Sequence, residues 1–105
     1  MLRQRDVRFE PVFDAPIPHP NGLQASDEGL WIADERQGWA YLVNFQDGKV
    51  IRSFATGAGL SSGITYGGGA LWMCSNGLPI EREICPSDTK HVRIVKSDPN
   101  NGNSL

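Results

Sequence analysis

The stretch "GLWIAD" (Gly29 to Asp34) returns 41 residues later as "ALWMCS" (Ala70 to Ser75), and this doubling decides the fold. Sliding the chain on itself by the same offset aligns Gly22 with Gly63, Leu23 with Ile64 and Trp31 with Trp72. The register also reaches back to place Phe13 on Phe54. Going forward, an insertion of 13 residues restores it, so that "NFQDGKVI" (Asn44 to Ile51) lies over "DPNNGNSL" (Asp98 to Leu105).

Each copy breaks into short runs of Trp, Val, Ile, Tyr and Phe between "DEG", "QDGK", "GGG" and "NNG". This is the pattern of strands joined by tight turns, and no apolar stripe at helical spacing competes with it. The expected fold class is all-β. Four strands fall in the first period: "GLQAS", "LWIAD", "WAYLVNF" and "KVIRSFA". The second supplies "GITYG", "ALWMCS" and "HVRIVKS", with only Asn103 to Leu105 after its last turn. A period near 40 residues with four strands is the sequence mark of a β-propeller blade.

The expected organisation is residues 1–14 as an outer strand, 15–56 as one full blade, and 57–105 as a second blade that lacks its outer strand and carries a loop insertion at about 76–92. An incomplete blade leaves a row of unpaired backbone groups, and an orphan strand has nothing to pair with, so each defect complements the other. Two blades cannot close a ring of four to eight. The partner expected is therefore the chain itself, a homo-oligomer in which the N-terminal strand completes a neighbour's blade. Six blades from a trimer lead, with a four-blade dimer and an eight-blade tetramer behind.

The stretch "PNGLQASDEGLWIADERQGWAYLVNFQDGKVIRSF" resembles a blade of the NHL, YVTN and virginiamycin B lyase-like propellers. The shared pattern is a Gly-apolar pair, an acidic or Gly turn, "LW" with small residues and Asp, and an apolar strand before "G-K-V". Asn44 stands where that group carries Asp, and "QDGK" replaces "x-T-G-K". The resemblance implies an architecture, not an activity.

Composition excludes several classes. Twelve acidic and ten basic residues give a net charge of -2 with no long run of either sign, so no nucleic-acid footprint is expected. The charged start and the short apolar runs argue against a signal core or a membrane span, and the expected location is cytoplasmic. His19 and His91 show no metal-ligand spacing, so neither metal nor cofactor is expected. Without a secretory signal, Cys74 and Cys85 read as free thiols. The insertion, with apolar Leu78, Ile80 and Ile84, reads either as a recognition loop or as packing against a neighbour.

The loops "PHPN" and "DERQG", with "GLSS" and "SNG" in the second copy, are expected on one face around a central channel. Their polar side chains are the candidate ligand site: His19, Asn21, Asp34, Glu35, Arg36, Ser61, Ser62, Ser75 and Asn76, with Trp39 as the candidate aromatic contact. Trp31 and Trp72 are expected in the core. The leading functional expectation is a non-catalytic module binding a small molecule, glycan or peptide. A lyase- or lactonase-like metal-dependent enzyme is the alternative, and a propeller fragment with no evolved ligand is a third. No catalytic residue is assigned.

Overall fold

The computed structural model describes residues 7–78, 83, 86 and 92–105. The chain is all-β, with two antiparallel sheets and no helix among the described residues. The first sheet holds β1 (Pro20–Ala25), β2 (Leu30–Asp34), β3 (Trp39–Val43) and β4 (Val50–Ala55) in that order; the second holds β5 (Ile64–Gly67), β6 (Ala70–Ser75) and β7 (Arg93–Ser97). Short turns join β1 to β2, β2 to β3, β3 to β4 and β5 to β6, and each returns the chain antiparallel alongside the strand before it.

The turns repeat as closely as the strands. Asn44 N–H donates to Lys49 O (2.9 Å), Gly48 N–H to Asn44 O (3.0 Å) and Gln46 N–H to Asn44 Oδ1 (2.8 Å). In the second sheet Asp98 N–H donates to Asn103 O (2.8 Å), Gly102 N–H to Asp98 O (2.8 Å) and Asn100 N–H to Asp98 Oδ1 (2.8 Å). Asx turns of this kind need a short side-chain acceptor at the first position, which Asn44 and Asp98 both supply. Gly48 and Gly102 both take positive φ, +72° and +79°, and each lies against a phenylalanine ring, Phe13 and Phe54 respectively, where a Cβ would collide.

Strand pairing sorts the side chains onto faces, because successive residues point to opposite sides. In the first sheet Trp31 is paired with Gln24 and Leu42, and Ala40 with Ala33 and Phe54, so these residues share one face. In the second, Met73 is paired with Ile64 and Val95, and Leu71 with Tyr66 and Ser97. Trp31, Ala33, Ala40, Leu42, Phe54, Ile64, Leu71, Met73 and Val95 form one buried cluster together with Ala58, so these two faces pack on each other.

The two packed faces are not equivalent in the repeat. Ile64, Met73 and Val95 correspond to Leu23, Ile32 and Tyr41, which lie on the far side of the first sheet. Stacking is thus head to tail. Repeat-equivalent residues meet directly: Gly22 (φ +108°) approaches Gly63, and Thr65 Oγ1 donates to Gln24 Oε1 (3.2 Å). Arg52 clips the outer ends together, its Nε donating to Pro99 O (2.9 Å), while its guanidinium lies 5.7 Å from the Trp31 ring centroid.

Only one tryptophan meets its expected burial. Trp31 is 1% exposed and Trp72 38% exposed. The reason is that the second sheet's face carrying Trp72, Cys74 and Ile94 has no sheet against it among the described residues. Trp72 instead donates its indole N–H to Gly67 O (3.1 Å), and the Lys96 ammonium lies 5.2 Å from its ring centroid.

Residues 7–19 belong to no strand; they cross the far face of the first sheet, with Phe13 against Gly48 and Ile17 buried beside Ile32 and Val43. This placement repeats a contact inside the chain: Phe13 sits on Gly48 as Phe54 sits on Gly102. Ile17 and its counterpart Ala58 are both buried. The β7 edge of the second sheet carries a single bridge, Ser97 to Ser104, the counterpart of Val43 paired with Val50 in the first.

Candidate functional site

Two kinds of candidate surface emerge: a cluster of polar loops and two apolar sheet faces. The loops converge at one end. Glu35 N–H donates to His19 O (3.0 Å), Thr56 Oγ1 to Gly38 O (2.8 Å), and Asn76 N–H to Gly59 O (2.9 Å); these tie the segment before β1 to the β2–β3 loop, that loop to the link between the sheets, and the link to the residue after β6.

Within this cluster the candidates divide by burial. Asp34, Ser61 and Ser75 are fully buried and hold loops in place. Asp34 Oδ1 accepts from Arg36 N–H (2.9 Å) and Gln37 N–H (2.7 Å), Ser75 Oγ accepts from Gly59 N–H (3.1 Å), and Ser61 Oγ donates to Gly63 O (3.1 Å). Side chains that replace missing backbone partners in a turn are fixed by it. Asp34 Oδ2 is buried with no hydrogen-bond partner.

Glu35, Arg36, Ser62 and Asn76 are exposed. Asn76 Nδ2 donates to Leu60 O (2.9 Å) and Ser62 Oγ (3.3 Å), holding Leu60 at φ +47°, a left-handed conformation unusual for a leucine. His19 is half-buried. Trp39 is half-buried too, its ring 6.1 Å from that of Tyr41. The Tyr41 hydroxyl donates to Gln37 Oε1 (2.7 Å). Burial, with the Asp34 carboxylate adding to it, pushes the Tyr41 hydroxyl above its ordinary pKa of 10.0. No group of three or more His, Cys, Asp or Glu is placed to hold a metal ion among the described residues. Cys74 is half-buried with a free thiol; Cys85, His91, Ile80 and Ile84 lie outside the described residues.

The cavities lie elsewhere, on the apolar faces. A groove of about 640 Å³ on the far side of the first sheet is lined by Val12, Phe13, Leu23, Leu30, Ile32 and Phe45, with Asn21 at its edge. A shallower one of about 290 Å³ on the open face of the second sheet is lined by Thr65, Trp72, Cys74 and Ile94. Sequence reasoning placed Asn21 on the polar loops. The structure places it on β1, within the register shift between Pro20 and Leu23, where it lines the groove.

No family model, curated protein or solved structure matches the chain. No helix among the described residues is long and apolar enough to cross a membrane.

The groove and the Trp72 face were not predicted as sites, yet the repeat contained the signal. Leu23, Leu30 and Ile32 are the counterparts of Ile64, Leu71 and Met73, and the latter three are buried. Trp72 is the counterpart of buried Trp31. The groove face and the Trp72 face are therefore copies of the two faces that pack together inside the chain.

Proposed function

We propose that the chain is a two-blade unit of a β-propeller that associates head to tail with copies of itself, six blades from a trimer, and works as a non-catalytic binding module. The observation that carries this reading is the contact between residues 41 apart, Gly22 with Gly63 and Gln24 with Thr65. An interface that joins unlike faces can be repeated indefinitely, and it ends only by closing into a ring.

Assembly would gather several copies of the loop cluster around one end of the ring. Glu35, Arg36, Ser62 and Asn76 supply both charges, a hydroxyl and an amide on loops pinned by buried Asp34, Ser61 and Ser75. Such a set suits a polar small molecule, glycan or peptide, and repetition by symmetry raises avidity without any new contact.

A thermal-shift screen of sugars and short peptides tests the site. A ligand that binds only the folded assembly raises its melting temperature, by about 2.7 kcal/mol of stabilisation at a hundredfold excess over Kd. Arg36→Ala and Asn76→Ala are expected to reduce that shift, each measured from the variant's own ligand-free melting temperature because Asn76 Nδ2 also holds the Leu60 turn. A shift unchanged in both variants contradicts the loop placement.

A further inference from the structure

We infer that residues Pro11 to Asp14 of one chain form the outer strand of a neighbour's second sheet, paired with Arg93 to Lys96 of β7. The inference rests on the head-to-tail association proposed above and assigns its register. In the first sheet β3 and β4 pair Trp39 with Ala55, Ala40 with Phe54, Tyr41 with Ser53 and Leu42 with Arg52. The repeat converts β3 positions to β7 positions and β4 positions to the N-terminal segment. The corresponding pairs are Arg93 with Asp14, Ile94 with Phe13, Val95 with Val12 and Lys96 with Pro11.

Three features fit this register. The segment already lies where an outer strand would run, since Phe13 repeats the Phe54 contact with a turn glycine. The terminal pair sets the opposite charges of Arg93 and Asp14, both exposed here, directly across from each other. Lys96 faces Pro11, which has no N–H to donate, and the Lys96 carbonyl already accepts from Leu105 N–H (3.1 Å). Ser104 opposite Ser97 occupies the next position on the same edge and leaves Arg93 to Lys96 for the incoming segment.

The occupant is a second copy because the groove is lined by repeat counterparts of residues that pack between the sheets inside the chain. Its lining residues Leu23, Leu30 and Ile32 are the counterparts of those that bury Trp31, and the Trp72 face is the counterpart of the Trp31 face. The neighbour's second sheet would enter between Phe13 and β1, with Trp72 against Leu23 and Ile32.

Disulfide trapping tests the register. In a background of Cys74→Ala and Cys85→Ala, chains carrying Pro11→Cys are mixed with chains carrying Lys96→Cys and oxidised. Both positions are exposed, so neither change threatens the core. A covalent dimer that requires both chains is expected. Separately, Asp14→Arg or Arg93→Asp should each raise the concentration of half-dissociation about fivefold, and the two together should restore it. A wild type that remains at 11.5 kDa overturns the assembly and this inference with it. A wild type that assembles but yields no trapped dimer overturns the strand pairing alone.

Discussion

In the proposed head-to-tail assembly, Trp72→Glu is expected to leave a folded monomer of 11.5 kDa. Trp72 is 38% exposed within one chain, so a carboxylate there can stay in water and the two sheets can keep their own packing. In the assembly the same position would be enclosed by Leu23, Leu30 and Ile32 of a neighbour. Burying an ionised carboxylate in such surroundings is costly even with the Lys96 ammonium on the neighbouring strand to pair with it. Size exclusion with light scattering gives the mass, and far-ultraviolet circular dichroism tests whether the strands persist. An unchanged assembled mass would show that the Trp72 face is not an interface.

Trp31→Ala should act on the fold of the single chain instead. Its ring is fully buried between the sheets and 5.8 Å from the Phe54 ring, with the Arg52 guanidinium over it at 5.7 Å from the centroid. Truncating a buried tryptophan costs about 3–5 kcal/mol, from lost burial and the cavity left behind. A domain of this size has roughly 5–15 kcal/mol in total, so the loss removes a large share of it and the urea midpoint should fall sharply. Urea denaturation followed by circular dichroism measures the loss. Trp72→Ala, measured in the same way under dilute conditions that favour the monomer, should cost far less. Equal losses at the two positions would contradict the distinction between an internal face and an open one.

That distinction is also where sequence reading stopped. The strands, their order and their turns were legible because each depends on local signals. Alternating apolar residues mark β2 and β3, and an Asn or Asp followed four residues later by Gly marks both Asx turns. The repeat carried these signals across an insertion, from Asn44 to Asp98. It could not say that Trp31 and Trp72 differ, since equivalence in sequence assigns both the same environment. Burial depends on what lies against a face, and one chain supplies a neighbour for only one of the two.

The candidate loop site was legible in part for a related reason. Asp34, Ser61 and Ser75 look like ligand-facing polar residues in the sequence, but their oxygens bond to backbone groups, those of Asp34 and Ser61 within their own loops and that of Ser75 across to Gly59. Short polar side chains in turns serve both roles, and only the backbone path around them decides which. Glu35 and Arg36 beside Asp34, and Asn76 beside Ser75, do face solvent. The repeat marked Leu23, Leu30 and Ile32 as counterparts of core residues, but the groove as a cavity also needs Val12, Phe13 and Phe45, which only the fold brings beside them.

The head-to-tail association is tested most directly by the mass of the wild-type protein, measured by light scattering on the size-exclusion peak across a range of concentrations. The six-blade ring predicts a single closed species of about three times 11.5 kDa, with no larger multiples as concentration rises. A stable 11.5 kDa monomer throughout that range would contradict the account.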